Sequence, residues 1–329
     1  MKKKVLLGVV ILTVVLLATT VFATGVFSEK KDDSVPTIGF TNMADSIDFC
    51  MLVKIGLQKE AEKRGWKFIS LDNALDGQKA IQNTDSLIQR KVDYAIIFNI
   101  DAATQPVISS KLKEANIPAM AIDIYLPGFP FFGVNNEISG KMGGEYIANY
   151  AKNEWGKEPD LYVILDNPMG GKYAKDRSDG CEAGLRKIYP NFPKLKIARV
   201  DAKADVLEAK KVMADVLTAN PKAKNIAVTG INDQVCAGGL AALEEARRDR
   251  DSLVVSLGGD SSFLQQLQAT KGKGAWKAAV LFGPEKYGEQ IMVLIEKVFA
   301  GQELPEESHV NNVYIDESTI AKYYPSYAW

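Results

Sequence analysis

Residues 36–65, PTIGFTNMADSIDFCMLVKIGLQKEAEKRG, decide how the chain is read. The apolar run over 37–41 breaks at a polar turn carrying Asn42, Asp45, Ser46 and Asp48. Small or apolar residues then recur at Phe49, Leu52, Val53, Gly56, Leu57 and Ala61, the spacing of a helix with one buried face. Strand, polar elbow and helix in that order predict one unit of an open parallel sheet. In such sheets ligands gather at the elbow beyond a strand's carboxyl end, where backbone donors and side chains converge without disturbing the core. Asn42, Asp45 and Asp48 are short groups suited to hydroxyls, so the elbow reads as one wall of a ligand site. Ser46 and Asp48 read equally well as caps of the helix that follows, because Ser and Asp are favoured there.

The same alternation continues. Strands over 66–71, 92–98 and 118–122 enclose helices over 77–90 and 105–115, and the last strand runs directly into Asp123. A second series starts at 131–134 and passes Asn135 and Asn136 into a helix over 139–151. Strands over 161–165, 195–200, 225–228, 253–257 and 276–281 then alternate with helices over 172–189, 206–219, 234–248 and 262–269. A helix over 284–299 and a strand over 310–315 close the pattern. Strands and helices at this interval imply right-handed crossovers and parallel sheets, and 329 residues suffice for two cores. Asp260 follows an apolar strand just as Asp123 does, and a carboxylate at that place reads as a ligand contact. One of Asn232 and Asp233 caps the next helix. Trp276 fits either core or pocket.

Composition removes several function classes. Lys and Arg total 40 against 41 Asp and Glu, so no charge bias points to nucleic acid or a membrane surface. A single histidine, His309, leaves nothing with which to build a hydrolytic triad or a multi-histidine metal site. Gly171-Lys172 lacks the upstream Gly and following Ser/Thr of a phosphate loop, and no GxGxxG follows a strand. No catalytic residue, metal or cofactor is expected. Cys50, Cys181 and Cys236 lie in helical patterns without CxxC spacing and read as buried thiols, with one disulfide as the alternative. Residues 1–27 begin with Met and three lysines and continue as an apolar run, the form of a secretory signal cleaved near Ala23. An uncleaved membrane anchor is the other reading. A periplasmic protein with a disordered leader over 28–35 follows from the first.

The chain resembles the sugar-binding proteins of bacterial ABC importers, of the ribose- and galactose-binding kind. The likeness is carried by the opening elbow with GLQKEAEKRGW, NIPAMAID ending at Asp123, GVNNEISGKMGGEYI from Gly133, DRSDG from Asp176, GINDQVCAGGLAAL from Gly230, and LGGD ending at Asp260. The resemblance implies two doubly wound α/β lobes, with parallel sheets, joined by three crossing strands around a ligand cleft. Carried over, the crossings fall near Asn135, near Phe282 and Gly283, and near Asn311. The N-terminal lobe would hold 36–134 plus 284–310, and the C-terminal lobe 135–282 plus 312–329. The same comparison assigns Asp123, Asn232 and Asp260 to sugar hydroxyls and Phe49 to a sugar face.

Departures are equally informative. Pentose binders of the family have arginine at Lys175, while the second arginine of that motif is kept as Arg177. Phe282 stands where Asn or Gln is expected, Ile124 where ribose binders have arginine, and Cys50 where the elbow has a second aromatic. Lysine cannot reproduce an arginine fork, so a sugar other than ribose, or a polyol, is implied. The expected role is that of a monomeric, extracytoplasmic substrate-binding protein that presents its ligand to importer permease subunits. A sensing module for a chemoreceptor or sensor kinase is the alternative, and no enzymatic activity is expected. A repressor of related fold would need a basic DNA-binding helix pair before residue 36, and the chain has an apolar run there.

Overall fold

The computed structural model describes residues 35–329. The expected export signal, and the leader as far as Ser34, lie outside the described residues. The first series gives β1 (Thr37–Asn42), α1 (Asp48–Lys63), β2 (Lys67–Asp72), α2 (Gly77–Gln89), β3 (Tyr94–Ile97), α3 (Gln105–Glu114), β4 (Ala119–Ile122) and β5 (Phe131–Gly133). The second gives α4 (Asn136–Tyr150), β6 (Leu161–Asp166), α5 (Gly171–Ile188), β7 (Ile197–Asp201), α6 (Val206–Ala219), β8 (Ile226–Gly230), α7 (Asp233–Glu245), β9 (Ser252–Gly258), α8 (Ser261–Thr270) and β10 (Trp276–Leu281). The chain ends in α9 (Tyr287–Phe299), β11 (Glu307–His309), β12 (Val313–Asp316) and α10 (Ile320–Tyr323).

These strands form two six-stranded sheets, ordered β11-β5-β4-β3-β1-β2 and β12-β10-β9-β8-β6-β7. Every pairing is parallel except that of β12 with β10. Both sheets are doubly wound, so each reverses its strand order once, between β1 and β3 and between β6 and β8. Helices cover both faces, and the central strands are accordingly near-continuous apolar runs: β1, β3, β4, β6 and β8 are buried at every position.

The chain passes between the sheets three times. It leaves β5 for α4 through Val134 and Asn135, leaves β10 for α9 through Phe282 and Gly283, and leaves β11 for β12 through residues 310–312. Of the strand expected over 310–315, only 313–315 is strand, in β12, while 310–312 is the crossing that follows β11. Val310 still donates to Gly133 of the first sheet, whereas Val313 already pairs with Leu281 of the second. Periodicity sees one extended run, because nothing local marks the change of partner.

Close helix packing fixes both halves. A Cβ on Gly288 of α9 would lie 2.1 Å from the Gly56 backbone of α1, so α9 returns to the first sheet's side at backbone contact. There Ile291, Met292 and Ile295 join Val53, Leu57 and Ala61 in one core. On the other side α4 and α5 interlock: a Cβ on Gly140 would meet the Arg177 carbonyl at 2.0 Å, and one on Gly184 the Lys141 carbonyl at 2.1 Å. Trp276 belongs to the core, with Nε1 donating to Ser256 Oγ at 3.1 Å and its ring against Phe263. The three cysteines are buried free thiols. Among the described residues no helix is long and apolar enough to cross a membrane.

Candidate functional site

The candidate site combines a strand end of the first sheet with a helix that packs beside the second. Asp123 leaves β4 with a left-handed backbone, φ 53°, a conformation that Asp tolerates better than most residues. Its Oδ1 accepts from the Val134 amide at 3.1 Å and from the Tyr287 hydroxyl at 3.0 Å. Oδ2 has no hydrogen-bond partner among the described residues. Tyr287 is fully buried and meets Phe49 and Phe132 edge-on, at 5.7 and 5.1 Å, and Phe49 in turn meets Phe98 at 6.4 Å. Burial in this surround pushes the Asp123 carboxyl up to about 6, against the Val134 and Tyr287 bonds and the charge of Arg177, which hold it down.

Arg177 comes from α5, on the other sheet. The interlocked glycines set its backbone against α4, and its Nε donates to Asn136 Oδ1 at 2.8 Å at the start of that helix. Nη1 donates to the Ile231 carbonyl just beyond β8, at 2.9 Å. The guanidinium lies over the ring of Phe282 at 4.6 Å and that of Tyr173 at 5.3 Å. Burial lowers its pKa and the Asp123 charge opposes that, but an arginine remains a cation. Nη2 has no hydrogen-bond partner among the described residues. An acceptor from one sheet and a planar donor from the other are thus electrostatically coupled, each with an unused atom.

The remaining strand-end acids have protein partners. Asp260 caps α8, its Oδ1 accepting from Ser262 N at 2.9 Å and Phe263 N at 3.4 Å, and its Oδ2 takes Gln234 Nε2 at 2.9 Å. Asn232 caps α7 through Val235 N at 2.9 Å. Asp233 is buried, accepts from Ser256 Oγ at 2.5 Å and from Asp260 N at 3.2 Å, and is pushed up to about 7 by burial and the neighbouring Asp260 charge. At the opening elbow, Asp45 is held by Lys54 at 2.5 Å and Asn42 Nδ2 at 2.6 Å. Burial alone would raise its carboxyl, but these two partners keep it below the usual range. Asn42 Oδ1 is buried and unpaired. Asp48 is exposed in the first turn of α1, whose N-cap is Ile47 without a side-chain bond, so neither Ser46 nor Asp48 caps that helix.

Two expected contacts need correction. Lys175 is exposed and pairs with Asp179 along α5, and residues two apart on a helix point to nearly opposite sides. Only Arg177 of that motif reaches the constellation. Phe282 is at the site, but its ring is covered by the Arg177 guanidinium and is a platform for that cation. Tyr287, Asn136 and Tyr173 were not expected. Asn136 sits in a quoted motif beside a crossing and was recoverable; nothing in the local sequence marks Tyr287. A cavity of about 220 Å³ lies against the second and third crossings and is lined in part by Phe282, and an open one of about 310 Å³ lies beside α9 and β11. Asp123, Arg177, Asn232 and Asp260 line neither, and the candidate site rests on the mutual charge effect of Asp123 and Arg177.

Comparison with known proteins agrees with this architecture. The family described as periplasmic binding protein domain matches residues 38–303. The ribose import binding protein RbsB of Escherichia coli (strain K12) is 27% identical over 259 residues, covering 78% of this chain and 82% of that protein. Among solved structures, a periplasmic ribose ABC transporter from Conexibacter woesei DSM 14684 superposes with a TM-score of 0.77 at 18% identity, covering 88% of this chain and 94% of the other. An ABC transporter periplasmic solute binding protein from Actinobacillus succinogenes 130z with bound D-allose gives 0.72 at 22% identity, over 88% and 100%. At those identities the structures bear on fold alone.

Proposed function

This chain belongs to the periplasmic binding protein domain family, and from that premise we propose that it is the extracytoplasmic binding component of an ABC importer, taking one small sugar or polyol between its lobes. The observation that carries the reading is that Asp123, beyond β4 of the first sheet, and Arg177, on α5 beside the second, act on one another through their charges while each keeps an unused hydrogen-bonding atom. A carboxylate acceptor and a guanidinium donor together match a hydroxyl pair. Phe49 beside them offers an apolar face for ring C–H groups. Asn232 and Asp260 line the approach from the strand ends, Asn42 lies buried beneath the opening elbow, and residues 36–134 with 284–310 move against 135–282 with 312–329.

Closing the lobes removes the ligand's hydroxyls from water, so an analogue lacking one leaves a buried charge unmatched. The ligand shifts the population toward the closed form, and the permease subunits recognise that form. Micromolar binding requires about 8 kcal/mol, within reach of a few charge-assisted bonds and one aromatic face. Binding proceeds without turnover: the relatives that define the family are binding proteins, and the thiols of Cys50 and Cys181 are pushed up by burial to about 12 and about 11, too high to supply a thiolate. The protein acts as a monomer in the periplasm.

A thermal-shift screen of pentoses, hexoses, linear polyols and inositols tests the reading. Ligand at a hundredfold excess over Kd stabilises the fold by about 2.7 kcal/mol, so one chemical class should raise the melting temperature and the rest leave it unchanged. If every sugar and polyol in the panel leaves it unchanged, the proposed function is wrong.

A further inference from the structure

We propose that Tyr287 is the positioning residue of the cleft: its hydroxyl holds Asp123 Oδ1, so that Oδ2 is the single acceptor offered to the ligand. This rests on the reading of the cleft as a sugar site. A carboxylate has two oxygens, and when both are free it accepts from two adjacent hydroxyls at once. Here Oδ1 already takes two donors, the Val134 amide and the Tyr287 hydroxyl, which fill its two lone-pair directions. Asp123 therefore meets one ligand hydroxyl, and pairing of a second falls to Arg177.

The geometry makes Tyr287 a rigid strut. Its ring is fully buried and fixed edge-on by Phe49 and Phe132. It is the first residue of α9, next to Gly288, where the helix touches the α1 backbone. Its position in the chain is four residues beyond the Gly283 crossing, so a hydroxyl anchored next to the hinge sets the carboxylate on which the ligand lands. The groups that act on Asp123 are Tyr287 from α9, Arg177 from α5, the Val134 amide from the first crossing, and the neutral Cys50 thiol of α1. Of the two hydrogen bonds to Oδ1, only that of Tyr287 can be deleted without touching the backbone.

Tyr287→Phe keeps the ring and removes the hydroxyl. A bond to a charged acceptor is worth roughly 1.5 kcal/mol, which is about one pH unit in a titration midpoint. Carbon-detected NMR titration of the Asp123 carboxyl in unliganded protein should show that midpoint moving up by about one pH unit, with the melting temperature lowered more at pH 8, where the carboxyl is ionised, than at pH 5. Calorimetry with D-ribose and D-allose, each at pH 6 and pH 8, gives the second readout. The sugar that binds should lose about fivefold in affinity at pH 6 and almost none at pH 8, because the variant's carboxyl is more protonated at the lower pH. An unmoved midpoint overturns the assignment of Tyr287. If the midpoint is unmoved while Asp123→Asn abolishes sugar binding, the cleft reading survives and only the positioning role fails. If the midpoint moves and Asp123→Asn still binds sugar normally, the cleft reading fails.

Discussion

Replacing Asp123 with Asn should move stability and affinity in opposite directions. Burial raises the Asp123 carboxyl from the ordinary 3.8 to about 6, so the folded protein holds that proton more tightly than the unfolded chain does. The stability this confers is complete below pH 3.8 and is lost as pH rises through about 6. At 1.36 kcal/mol per pH unit the ionised carboxylate costs the unliganded fold ~3 kcal/mol at neutral pH. Asparagine has nearly the same shape, its Oδ1 still accepts from Val134 and Tyr287, and it carries no charge to desolvate. Asp123→Asn should therefore be more stable than the native chain by up to about 3 kcal/mol above pH 6, with the advantage shrinking through pH 5 and vanishing below pH 4. The same substitution removes a charged acceptor from the cleft and should weaken sugar binding tenfold or more, from the 1.5–3 kcal/mol typical of such bonds. Urea unfolding at intervals from pH 4 to pH 8, with calorimetry at pH 7.5, measures both. A variant less stable than the native chain at pH 8, or one that binds sugar with unchanged affinity, would refute the reasoning.

Other substitutions test separate parts of the structure. Asp260→Ala removes the N-cap of α8 and should cost about 1 kcal/mol by urea unfolding, while Asp260→Asn, which can still cap, should cost much less. Arg177→Lys loses the planar stack on Phe282 and Tyr173 and the fork to Asn136 and Ile231, so calorimetry should show affinity down at least tenfold. Gly288→Ala places a methyl 2.1 Å from the Gly56 backbone and should destabilise by about 1–3 kcal/mol, read as a lower melting temperature with α9 pushed from α1.

Much of this was legible in the linear pattern. The strand over 276–281 and the helix over 206–219 appear in the structure with those bounds, because apolar patterning is strong where both sheet faces are covered. Asp123 was visible as a carboxylate directly after an apolar strand. The final strand begins at Val313 and not at Val310, since an extended run carries no local mark of where a crossing ends and sheet pairing begins. Lys175 was misplaced because the family motif aligns two cations, whereas helical geometry lets only one of them, Arg177, meet the strand ends.

By itself the sequence determined the alternation of strand and helix, the parallel sheets and the strand ends at which polar groups would collect, since each depends on residues close along the chain, and the doubly wound lobes followed from the family resemblance. Tertiary structure alone decided which acids remain available. Asp45, Asp233 and Asp260 are engaged by Lys54, Ser256 and the α8 amides, whereas Asp123 keeps one oxygen unused. Only tertiary structure brought Tyr287, 164 residues further along the chain, onto that carboxylate. Whether a buried polar atom has a partner is set by contacts between distant segments, and local periodicity contains no information about them.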